Sequence, residues 1–249
     1  MTPEFSEFSY GLAFTHEYIN RHPGLGAAPE LPSLVKEGTE GGGWDLKLGY
    51  QGHPKFFQFK LSEFMRGSRA LHWEQYGTPH YRFRVTPQNQ SDQHNLLKDL
   101  AEDYEDVIYA APRFHKQGQF DELFLQKRVT DNSIWVPVRD LPRIHHDERH
   151  YLTFTSEERV AQWQSEPIRL EGKFSAEDHY ATVNERRTID EEFFRELRQN
   201  LIRRLRESRG PVFQEPDQVD EIETVLNETH RLLTTQFGLQ MVVLVEGGG

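Results

Sequence analysis

The chain has 249 residues, 36% of them hydrophobic and 28% charged, enough apolar material for one sizeable core and far from the composition of a disordered chain. It contains no cysteine, which excludes a disulfide framework, thiolate-bound zinc and a cysteine nucleophile together. The net charge of -11 excludes a domain that coats nucleic acid by bulk electrostatics, yet residues 1 to 90 carry nine basic and nine acidic residues, so the acidic excess lies downstream. The start MTPEFSEFSY has no basic region followed by an apolar run, and no stretch nears the roughly 18 apolar residues of a membrane span. A soluble cytoplasmic protein with no membrane partner is expected.

In chain order, Phe8, Leu12 and Ile19 recur at helical spacing between Ser6 and Asn20, and His22-Pro23-Gly24 supplies a stop, which predicts a first helix. A Pro- and Gly-rich loop runs to Pro32, and Ser33 to Val35 reads as a short strand. Trp44 to Tyr50 and Lys55 to Leu61 read as two strands joined by a turn at Gln51-Gly52-His53-Pro54. His80 to Val85 alternates as a half-buried strand does, with Tyr81, Phe83 and Val85 on one face and Arg82 and Arg84 on the other. Ser91 is placed to cap a helix carrying Leu96, Leu97 and Leu100, and Val107 to Ala111 reads as a buried strand ending at Pro112. Asp121 to Val138 and Tyr151 to Thr155 read as further strands at an edge.

Beyond residue 156 the pattern turns helical. Thr188 and Glu191 have capping-box spacing before a helix with Phe194, Leu197, Leu201 and Leu205 on one face. A second helix, Gln218 to Phe237, carries Val219, Ile222, Leu226 and Leu233, and Gly238 follows it as a C′ residue. A short strand, Gln240 to Val245, closes the pattern. The expectation is a core over residues 1 to 155 and a C-terminal helical hairpin over 156 to 249, whose apolar faces would serve a homodimer or a partner protein.

The pointed chemistry lies between Gly41 and Glu63. Hydrolysis of a phosphodiester needs a hard cation at the phosphoryl oxygens and a group that orients or deprotonates water. Asp45 offers a carboxylate, Gln58 an amide oxygen and Phe59 its backbone carbonyl, which suits Mg²⁺ or Mn²⁺. Lys60 stands two residues after Gln58, hence on the same strand face, where its ammonium can position water or act as a base. Arg66, Arg69, Arg82, Arg84 and Arg113 are candidates for a nucleic-acid-binding cleft.

These residues resemble the PD-(D/E)XK nuclease superfamily, whose pattern is an Asp opening one strand and an acidic residue, any residue, then Lys on the next. Here 12 residues separate Asp45 from Gln58, and Gln-x-Lys in place of the acidic form resembles the variant of Mrr-type restriction endonucleases, which also favour glycines before the Asp, as Gly41, Gly42 and Gly43 stand here. The resemblance covers about residues 5 to 115. It implies a restriction-endonuclease-like α/β core with a mixed sheet flanked by helices, an acidic residue on the preceding helix, for which Glu17 is the match, and a Mg²⁺-dependent DNA endonuclease serving defence against foreign DNA. The amide at Gln58 removes one negative ligand charge, which keeps a second reading open: a non-catalytic nuclease-like subunit that binds nucleic acid or a partner. RNA remains a third substrate class.

Glu37 and Glu40 sit in a glycine-flanked loop, and His145, His146, Asp147 and His150 match no closed zinc site. Gln93 and His94 open a helix just after the Arg-bearing strand, where the nuclease resemblance implies polar residues near substrate and a helix-capping or surface role is the equal alternative. Arg203, Arg204, Arg206 and Arg209 gather at a helix end, where cations complement the dipole.

Overall fold

The computed structural model describes residues 1–22, 49–145, 147, 149–156, 161–164, 168–170, 176, 186–214, 219 and 221–245. Helix α1 (Glu7–Arg21) begins where the Ser6 hydroxyl accepts from the Ser9 amide at 3.0 Å. Its inward face carries Tyr10, Phe14 and Tyr18, not the Phe8, Leu12 and Ile19 face expected from the sequence; Phe8 is 80% and Leu12 63% exposed. Three aromatic rings four residues apart bury more apolar area than Phe, Leu and Ile together, so they take the core side.

Strand β1 (Tyr50–Phe59) runs unbroken through the expected turn at Gln51-Gly52-His53-Pro54. It pairs antiparallel with β10 (Gln240–Val245), parallel with β4 (Val107–Pro112) and antiparallel with β9 (Arg187–Ile189). The N–H of Phe56 donates toward β4, to the Asp106 carbonyl at 2.9 Å, and Pro54 has the same parity. Pro54 falls between the last β9 pair, Gly52 with Arg187, and the first β4 pair, Phe56 with Val107. Its missing N–H therefore costs no ladder bond, and a central strand tolerates the proline.

Strand β5 (Ser133–Pro137) completes the first sheet, in the order β10-β1-β4-β5 with β9 also on β1. A second sheet, antiparallel throughout, has β2 (Glu63–Met65), β3 (His80–Val85), β6 (His150–Phe154), β7 (Ala161–Trp163) and β8 (Ile168–Leu170) in that order. Further α-helices among the described residues include α2 (Trp73–Tyr76), α3 (Gln93–Asp103), α4 (Gln117–Leu125), α5 (Glu191–Arg209) and α6 (Ile222–Arg231), the last continuing as a π-helical turn, Leu232–Phe237. Helix α4 occupies the front of the segment read as a strand from Asp121. Gln119 Oε1 accepts from the Lys116 amide at 3.1 Å and Phe120 packs its ring 4.7 Å from Phe5, so the turn is capped and anchored.

The chain is α/β, with a mixed sheet flanked by helices and helices near its C-terminal end. Phe57, Ile108, Trp135 and Val242 face α1 and α4, while the alternate residues Phe56, Tyr109, Val136 and Val243 face α3, α5, α6 and the second sheet. Strands buried on both faces read as continuous apolar runs, as VIYAAP and QMVVLV do. Both β9 and β10, from beyond residue 156, are built into the sheet of the first part. The apolar faces of α5 and α6 are spent on that core: Phe194, Leu197, Leu201, Leu205 and Leu226 are at most 3% exposed. Partner contacts through those faces, expected from the sequence, are therefore not open to them. Arg204 pairs with Asp103 at 3.1 Å and Arg209 with Asp92 at 2.6 Å, so the arginines at the end of α5 tie it to α3. Among the described residues, no helix is long and apolar enough to cross a membrane.

Candidate functional site

The parallel pair β1 and β4 ends at one place, and the start of β10, the first turn of α3 and the N-terminus of α1 arrive there too. Ligands of open α/β sheets bind outside the carboxyl ends of parallel strands, because the chain diverges and leaves a crevice. Gln58 is 4% exposed, and its Oε1 has no hydrogen-bond partner. A buried amide oxygen without a donor costs about 1–3 kcal/mol, so it marks a position suited to a donor or a cation.

Lys60 follows on the same face, its amide donating to the Ala110 carbonyl at 2.9 Å and its Nζ 5.9 Å from the centre of the Tyr109 ring. Burial holds the Lys60 amine below the ordinary lysine range, opposed by the charge of Glu7. Burial raises the Glu7 carboxyl in turn, opposed by Lys60. Both groups are thereby brought nearer to proton exchange at neutral pH.

The polar lining behind them is fixed by α3. His94 stacks on Tyr109 with ring centres 6.0 Å apart, sits 3.1 Å from the Tyr109 hydroxyl and 2.9 Å from the Pro142 carbonyl, and burial pushes its pKa down to about 4. A neutral ring that donates to Pro142 and accepts from Tyr109 satisfies both contacts. Gln93 donates to the Phe237 carbonyl at 3.0 Å, holding the start of β10 against the site. Gln93 and His94, for which the sequence left a place near substrate and a capping or surface role equally open, thus stand beside Gln58 and Lys60.

Of the residues expected from the sequence, Gln58 and Lys60 are brought together at the end of β1, with Phe59 between them. Asp45 lies outside the described residues, as do Glu37, Glu40, Gly41, Gly42, Gly43 and His146. Glu17 stands elsewhere. Its carboxylate, 4% exposed, accepts from the Val129 amide at 2.7 Å, the Thr130 amide at 3.2 Å, the Thr130 hydroxyl at 2.5 Å and Arg21 at 3.1 Å. Ten residues of helix, roughly 15 Å at 1.5 Å each, separate it from Glu7 along α1. The acidic group of α1 whose charge acts on Lys60 is Glu7, on the helical stripe of Gly11, Phe14 and Tyr18. That stripe was legible: Glu7 is four residues before a glycine on the aromatic face.

The arginines do not gather at Lys60. Arg82 is paired with Glu63 at 2.7 Å and lies over the Tyr151 ring at 4.5 Å; Arg84 donates to Gln90 at 2.8 Å. Arg113 donates to the Asp131 carbonyl at 2.5 Å, and Arg66 and Arg69 are exposed beyond β2. His145 and Asp147 are exposed while His150 is buried against Trp163, and among the described residues no group of three His, Asp or Glu is placed to hold a metal. Compared with protein-family models, with curated proteins and with solved structures, the chain matches none.

Proposed function

We propose that this protein is a metal-dependent nuclease that hydrolyses DNA phosphodiester bonds at the carboxyl end of β1. The observation that carries the reading is the buried, unpartnered Oε1 of Gln58 two residues before a desolvated Lys60. An orphaned carbonyl-type oxygen fits a hard cation, Mg²⁺ or Mn²⁺, which would be held by Gln58, the Phe59 carbonyl and the carboxylate of Asp45. When bound, such an ion neutralises charge on the phosphoryl oxygens. Lys60 orients the attacking water and takes up its proton in the unprotonated form, which a lowered pKa makes more populated. Glu7 sets how readily Lys60 gives that proton back.

The test is nicking of supercoiled plasmid in Mn²⁺ by the wild type, Asp45→Ala and Lys60→Ala. Loss of cleavage in both variants, with folding intact by circular dichroism, supports the reading; equal cleavage by all three sinks the assignment.

A second reading is a non-catalytic subunit that binds nucleic acid or a partner. The amide at Gln58 favours it, as does the commitment of the Glu17 carboxylate to the Val129–Thr130 loop. DNA binding without cleavage in any divalent ion would decide for it. Action within defence against foreign DNA rests on the family resemblance alone.

A further inference from the structure

The apolar faces of α5 and α6 are spent on the core, but one apolar face of α1 is not. Among the described residues seven large apolar side chains are exposed, and four of them stand on the neighbouring helices α1 and α4. Phe8 is 80% and Leu12 63% exposed on α1, and Phe124 is 46% and Leu125 80% exposed on α4. The two helices meet along a groove of about 400 Å³ lined by Phe8, Leu12, His16, Phe120 and Phe124, with the His16 ring 6.2 Å from that of Phe124. Leu125 stands one turn beyond Asp121, which lines the same groove. A second groove of about 420 Å³ follows the other flank of Phe8 and Leu12, where α1 lies close on Phe59; a Cβ on Gly11 would meet that ring at 2.8 Å. Phe8 and Leu12, one turn apart, thus form a ridge with a groove on each side.

Charge and shape together select what covers this face. Among the described residues neither groove has a Lys or Arg in its lining, and Glu7 and Asp121 are carboxylates. An anionic lipid surface or a nucleic-acid backbone is therefore repelled rather than drawn in. A ridge beside a groove fits a copy of itself, because about a two-fold axis one patch serves both partners, and residue i meets j as j meets i. With the axis at Leu12, two α1 helices cross antiparallel and ridge packs into groove. Phe8, one turn before the axis, then reaches the α1–α4 groove of the other copy at the level of His16, one turn after it.

The area agrees with this occupant. At roughly 150–250 Å² for a large side chain, the four residues expose on the order of 500 Å². That is at the upper end of the apolar patches monomers leave in water, and doubled across a two-fold axis it reaches the roughly 1,000 Å² of a specific interface.

We propose that the chain forms a two-fold homodimer through α1 and α4, with Phe8 of each copy seated in the α1–α4 groove of the other. The pairing goes beyond the reading of the Lys60 site and does not depend on it. An interface near the lower limit of area is reversible, so the dimer assembles in the micromolar range.

Sedimentation equilibrium of the full chain across that range tests the pairing. The wild type should move from the mass of one chain to that of two as its concentration rises. Phe8→Glu and Leu125→Glu, each at a position 80% exposed, should remain single chains throughout and melt at the wild-type temperature when dilute. The chain has no cysteine, so Leu12→Cys places a lone thiol at the axis. Under mild oxidation it should link most of the protein into disulfide dimers, whereas Ser68→Cys, in the exposed turn beyond β2, should link little. Persistence of the dimer in Phe8→Glu or Leu125→Glu, or failure of Leu12→Cys to link above Ser68→Cys, overturns the proposal. A wild type that stays one chain at every concentration overturns it too, and leaves the face to a different protein.

Discussion

Gln93 occupies the space that a side chain on Gly238 would need. Its amide nitrogen stands inside contact distance of the position of a Gly238 Cβ, and Gln58 Nε2 is 3.0 Å from the same point. Gly238 also has φ of 65°, in the left-handed region. Gly238→Ala is therefore expected to destabilise by about 2–3 kcal/mol, combining backbone strain with overpacking. Gln93→Ala in the same chain should recover the steric part and leave the strain, which urea denaturation of the single and double variants would resolve.

Glu17 should prove to be a stability residue. Its buried carboxylate accepts from two main-chain amides, a hydroxyl and Arg21, so Glu17→Ala leaves those donors unpaired and should cost about 2–4 kcal/mol. The expected result is a lower melting temperature with unchanged cleavage per folded molecule at low temperature. A loss of cleavage in the folded variant would instead restore Glu17 to the site.

His94 predicts the acid limb of stability. Its pKa is about 4 in the folded protein, below the ordinary value of 6.5, so the folded state binds fewer protons than the unfolded one. The stability tied to its neutral form is present above pH 6.5 and falls away as pH drops through 4. At about 1.36 kcal/mol per pKa unit the full effect is about 3 kcal/mol. Denaturant midpoints at neutral and mildly acid pH should differ more for the wild type than for His94→Gln.

The pair Glu7 and Lys60 predicts a shift in the pH–rate profile. The carboxylate of Glu7 favours the Lys60 ammonium, so Glu7→Gln removes that support and lowers the Lys60 pKa further. If Lys60 works in its neutral form, the rising limb of cleavage moves to lower pH in Glu7→Gln, while Gly67→Ala, in the exposed turn beyond β2, leaves it in place. A limb that does not move separates Lys60 from proton transfer.

Lys55 and Asp106 form a salt bridge with side chains 4% and 6% exposed, joining β1 to the turn before β4. Asp106→Ala strands a buried ammonium and should cost about 3–5 kcal/mol, whereas Lys55→Met with Asp106→Leu should be far less damaging. Thermal melts of the single and double variants test this.

Local pattern carried much of the fold. The alternation of HYRFRV, the leucines of α3, the apolar face of α5 and the C′ glycine at Gly238 each depend on neighbours within one or two turns, and each element stands near where its pattern puts it, although Asp190 caps α5 and Thr188, the expected cap, lies in β9. The failures share a cause in long-range pairing. Pro54 looks like a turn residue until the gap between β9 and β4 is known, and Phe8 and Leu12 look like a core face until Tyr10, Phe14 and Tyr18 compete for the same sheet.

The candidate site divides in the same way. The sequence by itself determined that Gln58, Phe59 and Lys60 lie together, because a strand of period two places residues two apart on one face. Only the tertiary structure decided which acid meets them. Glu7 and Glu17 share one helix, and nothing in helical periodicity says which end crosses the end of β1; the packing of Gly11 against Phe59 settles it. Burial, and with it the altered proton affinities of Lys60, Glu7 and His94, likewise comes from chain segments far apart in sequence that exclude water from one another.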